Sequence, residues 1–164
     1  MISLLRKIRA AGRVAEPAPP RPAPLPAPVA QRARDLRGSA QVRCVDAGSC
    51  NGCEIEIGQA FSPVYDAERY GARVVPSPRH ADVLLVTGPV TVNMAGPLRS
   101  AYEAMASPSL VIGVGDCASD GGVFAGGEGV HGPVGDVVPV DLQVPGCPPR
   151  PDQIVEALRR VTGR

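Results

Sequence analysis

The chain has 164 residues, 44% of them hydrophobic and 3% aromatic, with no Trp and a formal net charge of +1. This is enough for one domain with a tail. Aromatics are too few for a stacking platform along single-stranded nucleic acid, and the net charge is too small to name a polyanionic partner. The near-neutrality hides an asymmetry, because residues 1–37 sum to +6 and the remainder to −5. An acidic partner or an anionic lipid surface would meet the tail first.

"MISLLRKIRAAGRV" (1–14) sets Met1, Leu4, Leu5, Ile8 and Ala11 on one side of a helix and Arg6, Arg9 and Arg13 on the other. It reads as a basic amphipathic segment for a membrane surface or a partner groove, or as a disordered basic tail. "EPAPPRPAPLPAP" (16–28) carries seven prolines and predicts an extended spacer. The expected division is therefore an extension over 1–38, disordered or partly helical, and an α/β domain over 39–164.

"AQVRCVDA" (40–47) predicts a strand. "EIEIGQAFS" opens a helix that "VYDAERYG" continues or restarts, and Gly71 stops it. "RVVP" predicts a short strand, and "ADVLLVTG" (81–88) and "SLVIGVGD" (109–116) are apolar runs suited to buried parallel strands. Between these two, "PLRSAYEAMAS" (97–107) predicts a helix with Pro97 in its first turn. After the Gly-rich stretch 121–135, "DVVPVDL" (136–142) predicts a strand that Pro139 confines to an edge. "RPDQIVEALRRV" (150–161) closes as a helix. Strands alternating with helices predict βαβ units and a doubly wound parallel sheet.

In such a sheet, ligands bind beyond the carboxyl ends of the strands. Cys50 and Cys53 follow the first strand, Cys117 follows 109–116, and Cys147 follows 136–142, while Cys44 lies within a strand. With no run of about 18 apolar residues and no secretory leader, the five cysteines are expected in a reducing compartment. There, spaced thiols point to metal or redox chemistry. Four thiols from three loops suit an iron–sulfur cluster or, less well given the split second pair, zinc; unligated thiols stay open on spacing alone. Cys147-Pro148 matches the Cys-Pro ending of bacterial ferredoxin runs, and a thioredoxin-like dithiol fits poorly because it needs no further thiols.

"CNGCEIEI", "YDAERYG", "RHADVLLVTGPVT", "GVGDCASDGG" and "VPVDLQVPGCPPRP", in that order, resemble the 20-kDa subunit of NADH:quinone oxidoreductase. They also resemble the matching small subunit of membrane-bound, energy-converting or formate hydrogenlyase-type nickel–iron hydrogenases. The resemblance covers roughly residues 40–160. It implies a flavodoxin-like fold and one [4Fe–4S] cluster on Cys50, Cys53, Cys117 and Cys147. Adjacent cysteines mark the respiratory version, whereas Cys50-Asn51-Gly52-Cys53 resembles the hydrogenase version.

The implied role is an electron relay in a membrane-associated hydrogenase or formate hydrogenlyase-like complex, catalytic only with its partners. Those partners would be a ferredoxin-like subunit, a large nickel–iron or quinone-site subunit, and membrane subunits. The protein would be peripheral, on the cytoplasmic side. The alternatives are the 20-kDa subunit of a quinone-reducing complex or, from another class, a zinc-stabilised scaffold. No GxGxxG follows the first strand and no Ser/His/Asp set is present. Asp46, Glu54, Glu56, Asp116 and Asp120 flank the cysteines and read mainly as helix-dipole and turn residues, with proton movement as the sharper alternative. Cys44 reads as a small buried hydrophobe and His80 as a surface or capping residue, while Tyr65, Asp66, Glu68 and Arg69 suit a helix surface facing a partner.

Overall fold

The computed structural model describes residues 2–12 and 19–164. Met1, Arg13, Val14 and the start of the expected spacer lie outside the described residues. Five strands form a parallel sheet: β1 (Ala40–Asp46), β2 (Ala72–Val74), β3 (Val83–Thr87), β5 (Leu110–Val114) and β7 (Leu142–Val144). Their order is β2-β1-β3-β5-β7, the flavodoxin-like arrangement, whose topological switch point falls between β1 and β3. A separate antiparallel ribbon pairs β4 (Val90–Thr91) with β6 (Val130–Gly132), so the Gly-rich stretch contributes a strand.

β3 and β5 are buried at every position, and alternate residues serve opposite faces. Leu85 and Ile112 join one core with α3 (Gly52–Ala60) and α6 (Pro151–Thr162). Leu84, Val86 and Val111 join the other, with Leu98 of α4 (Val92–Glu103) and Ala118 of α5 (Asp116–Asp120). Each such fully buried aliphatic side chain contributes about 1.5–3 kcal/mol. In α6 the stripe Ile154, Val155, Leu158 and Val161 is buried. The helix starts on Pro151, in its first turn as expected, and ends at Gly163 with φ +74°.

The packed unit also begins earlier than Ser39. Residues 27–35, placed in the spacer and its continuation, form helix α2 (Ala27–Asp35), with Val29 and Ala33 buried in the core. Pro26 and Pro28 stand at its N-terminus, where fixed φ and a missing N–H initiate a helix instead of preventing one. Arg32 forms an ion pair with Asp141 and donates to the Ser109 carbonyl at 2.8 Å. Arg159 donates to the Pro20 carbonyl at 2.6 Å, and Arg160 to those of Ala23 and Pro24 at 3.1 and 3.0 Å. Residues 19–37 thus form a strap across the amino ends of the strands.

Two elements are shifted from expectation. α4 starts at Val92, and Pro97 lies inside it on an exposed face, where water can serve the carbonyl that proline's missing N–H leaves free. The last strand starts after Pro139, at Leu142, and is an edge as expected.

Candidate metal centre

All four candidate cysteines sit at the carboxyl edge of the sheet. Cys50 lies in the loop after β1, which Asp46 folds by accepting from the amides of Gly48 and Ser49 at 2.9 and 2.8 Å, an Asx turn. Asn51 takes φ +71° before α3, and Cys53 falls in that helix's first turn, 8% exposed. Cys117 occupies the first turn of α5, also 8% exposed. Cys147 is exposed on the loop after β7.

Contacts across the edge bring these loops together. Gly146 donates to the Asp116 carboxylate at 2.7 Å, and the Asp116 amide donates back to the Gly146 carbonyl at 2.9 Å. The Cys117 and Cys147 segments are therefore stitched to each other, and Asp116 fixes the neighbouring loop instead of only its own turn. A Cβ at Gly115 would stand 2.6 Å from the Cys53 sulfur, and one at Gly122 would stand 2.8 Å from the Cys117 sulfur. At Gly52 a Cβ would meet the Cys50 sulfur at 3.6 Å and Pro148 at 3.7 Å. A cleft of about 440 Å³ opens between Cys117 and Cys147, rimmed by Asp116, Asp120 and Val123.

The thiols oppose one another's ionisation. Burial first, then Glu54 and the other three cysteines, pushes Cys53 up to about 12. Cys117 is raised by burial and then by Cys147, Cys50 and Asp116, against a smaller lowering by a backbone hydrogen bond. Four thiolates here would need a cationic partner, which a coordinated metal would supply by deprotonating thiols outright.

Among the described residues, no three His, Cys, Asp or Glu side chains converge as ligands of a single ion. A cubane cluster asks for something else, since each thiolate bonds a different iron and the four ring the cluster. The glycine cradle and the four mutually interacting thiols fit that demand.

Glu54 forms a network that spacing did not reveal. One carboxylate oxygen accepts from Ser49 at 2.5 Å and the other from the buried hydroxyl of Thr87. It ties the Cys50 loop, α3 and the end of β3 at the switch point. A lone Thr ending an apolar strand was the available signal.

The region from Cys50 to the end of α6 matches a family model described as NADH ubiquinone oxidoreductase, 20 Kd subunit, over residues 50–161. The chain belongs to this family. The 20-kDa-subunit family comprises subunits of oxidoreductase complexes. A probable membrane-bound hydrogenase subunit of Pyrococcus furiosus is 46% identical over 130 residues, 79% of this chain and 78% of that subunit. Formate hydrogenlyase subunit 7 of Escherichia coli is 49% identical over 118 residues, 72% of this chain and 46% of its own length, so the chain spans about half of that relative. Among solved structures, a chain of the membrane-bound sulfane sulfur reductase, an archaeal respiratory membrane complex, superposes with TM-score 0.68 at 28% identity. The match covers 79% of this chain and 72% of that one.

Within this 20-kDa-subunit fold the other singled-out residues have local duties. Cys44 is partly buried in β1. His80 is exposed at the end of a 3-10 turn, Pro78–His80. Asp66 accepts from the Arg69 amide at 3.3 Å, and Arg69 stacks on Tyr70 at 4.7 Å. Asp120 accepts from Gly122 at 2.8 Å.

Proposed function

We propose that this chain holds one [4Fe–4S] cluster on Cys50, Cys53, Cys117 and Cys147 and serves as the electron-relay subunit of a membrane-associated hydrogenase or formate hydrogenlyase-like complex. The observation that carries the reading is the placement of four cysteines from three distant loops at one sheet edge, on a glycine cradle. When bound, the cluster accepts one electron and gives it up again.

The chain's own residues fix position and surroundings. Cys53 and Cys117 are buried and Cys50 and Cys147 are exposed, so one side of the site is closed by the core and the other is left for a partner. Asp116 holds two ligand loops in register, and Glu54 holds the third to the sheet. The first turns of α3 and α5 place backbone amides beside Cys53 and Cys117, where they favour negative charge. Ile55, Val123 and Phe124 are 56%, 82% and 42% exposed near this edge. Such apolar exposure suits contact with a large catalytic subunit. A ferredoxin-like subunit is the proposed donor, and the complex's membrane subunits hold the assembly on the cytoplasmic side.

The Asn51-Gly52 spacing between Cys50 and Cys53 favours the hydrogenase version. A quinone-reducing complex is the second reading, favoured by the description of the matching family model.

Protein purified without oxygen should be brown and hold about four irons per chain, with the paramagnetic signal of a single reduced cluster. Cys50→Ser, Cys53→Ser, Cys117→Ser and Cys147→Ser should each lose that iron, and Cys44→Ser should keep it. Stoichiometric zinc with no iron after reconstitution would overturn the reading.

A further inference from the structure

The first helix, α1 (Ile2–Ala11), carries an apolar stripe that nothing among the described residues covers. Leu4, Leu5 and Ile8 are 61%, 60% and 58% exposed. At 3.6 residues per turn, these three and Ala11 share an arc of about 120°. Arg6, Lys7 and Arg9 all lie outside that arc, alongside Ser3 and Ala10, and the helix contains no acid. Arg9 borders the stripe on the Leu5 side and Lys7 on the Ala11 side, while Arg6 lies opposite.

Long basic side chains at both borders of an apolar stripe suit a bilayer surface. Their stems extend along the apolar region and their heads reach lipid phosphates. Ten residues alone are a marginal helix in water, so a covering surface would also stabilise α1. Residues 38–164 sum to −5, so an anionic surface repels the body while it attracts the helix.

The strap then sets the orientation. Ser109 and Asp141, which Arg32 holds, immediately precede β5 and β7. Arg159 and Arg160, which hold Pro20, Ala23 and Pro24, lie in the last turn of α6. That helix begins just after Cys147, so one helix length separates the strap from the cysteine edge. Seven peptide steps join Gly12 to Pro19, which can span at most about 25 Å.

We propose that α1 binds the surface of an anionic phospholipid bilayer, and that the strap holds the amino edge of the sheet toward the lipid and the cysteine edge away from it. This goes beyond the relay assignment and does not depend on it, because neither α1 nor the strap touches the cysteines.

The full chain, mixed with vesicles of phosphatidylcholine alone or with added phosphatidylglycerol, should sediment only with the anionic vesicles and be released by salt. The triple variant Arg6→Gln, Lys7→Gln, Arg9→Gln should partition on the order of a hundredfold less, from about 1 kcal/mol per basic residue near such a surface. The triple variant Leu4→Ser, Leu5→Ser, Ile8→Ser keeps every charge and should also lose binding. On bound chain, hydrogen exchange should slow over residues 2–12 and stay at solution rates over 48–53 and 121–129.

Undiminished binding by the serine variant would overturn the helix assignment. Absence of binding by the full chain at low salt would overturn the lipid assignment, and an α1-dependent association with the complex's membrane subunits would then make a protein groove the occupant. Protection of the cysteine loops on vesicles would overturn the orientation.

Discussion

At Gly115 the backbone has φ +92°, and a Cβ there would stand 2.6 Å from the sulfur of Cys53. With ψ at 158° this is a conformation that glycine alone adopts readily, and an L-residue there costs on the order of 1–3 kcal/mol; the side chain would also occupy space the site needs. Gly115→Ala should therefore lower the melting temperature and reduce iron content together. Gly58→Ala, on the exposed face of α3 with open space around it, should leave iron unchanged and raise stability by about 0.5–1 kcal/mol. Thermal unfolding beside iron analysis checks the pair. Cys44 supports a different test. Burial, with Glu54 adding and Arg43 opposing, raises its thiol from 9.0 to about 11, so the folded state favours the neutral form. That contribution is fully present below pH 9 and is lost as pH rises toward 11. Denaturant unfolding should show the parent chain losing more stability across that window than Cys44→Ala; equal losses would remove Cys44 as the cause. That Cys50, Cys53, Cys117 and Cys147 share one sheet edge was readable from strand order. Asp116 reads from sequence as a residue of its own turn and Glu54 as a helix-dipole residue, whereas the hydrogen bonds that tie each to another loop are not visible there. Gly146 and Thr87, their distant partners, lie 30 and 33 residues away in sequence, and no local rule pairs them.

At the scale of elements, β3, β5 and α6 declared themselves through patterns that local physics enforces: an unbroken apolar run, or an apolar stripe behind an initiating proline. α2 did not, because the same prolines that suggest an extended spacer also start helices, and only the burial of Val29 and Ala33 decides between the two. α4 was misplaced at Pro97 for a related reason, since solvent exposure lets a helix carry proline past its first turn. The strap carries a prediction. A chain beginning at Pro19 keeps every strap contact, whereas one beginning at Ser39 loses two buried side chains and leaves Asp141 without Arg32. Loss of Val29 burial alone costs about 1.5–3 kcal/mol. Calorimetry should show the shorter chain melting well below the longer one, with the longer one close to the full chain. Equal melting temperatures would mean that the strap lies on the body without stabilising it.

For the whole molecule, the parallel order sets the carboxyl ends of β1, β5 and β7 along one edge, so the sheet itself decides that the cysteines share that edge with Ile55, Val123 and Phe124. Ile55→Glu should leave iron content and melting temperature unchanged while weakening capture by the large subunit, measured by co-purification of the complex. Unweakened capture would place the contact elsewhere. The drawing of one site from three loops also has a consequence for biosynthesis. Cys50 and Cys53 are translated 97 and 94 residues ahead of Cys147, which is roughly 5–20 s of synthesis. Until Cys117 follows, 64 residues after Cys53, the nascent chain presents a two-thiol half-site with no means of closing it. On the proposed cluster assignment, zinc capture and oxidation would compete with assembly most strongly then, before β7 exists to bring the last thiol alongside.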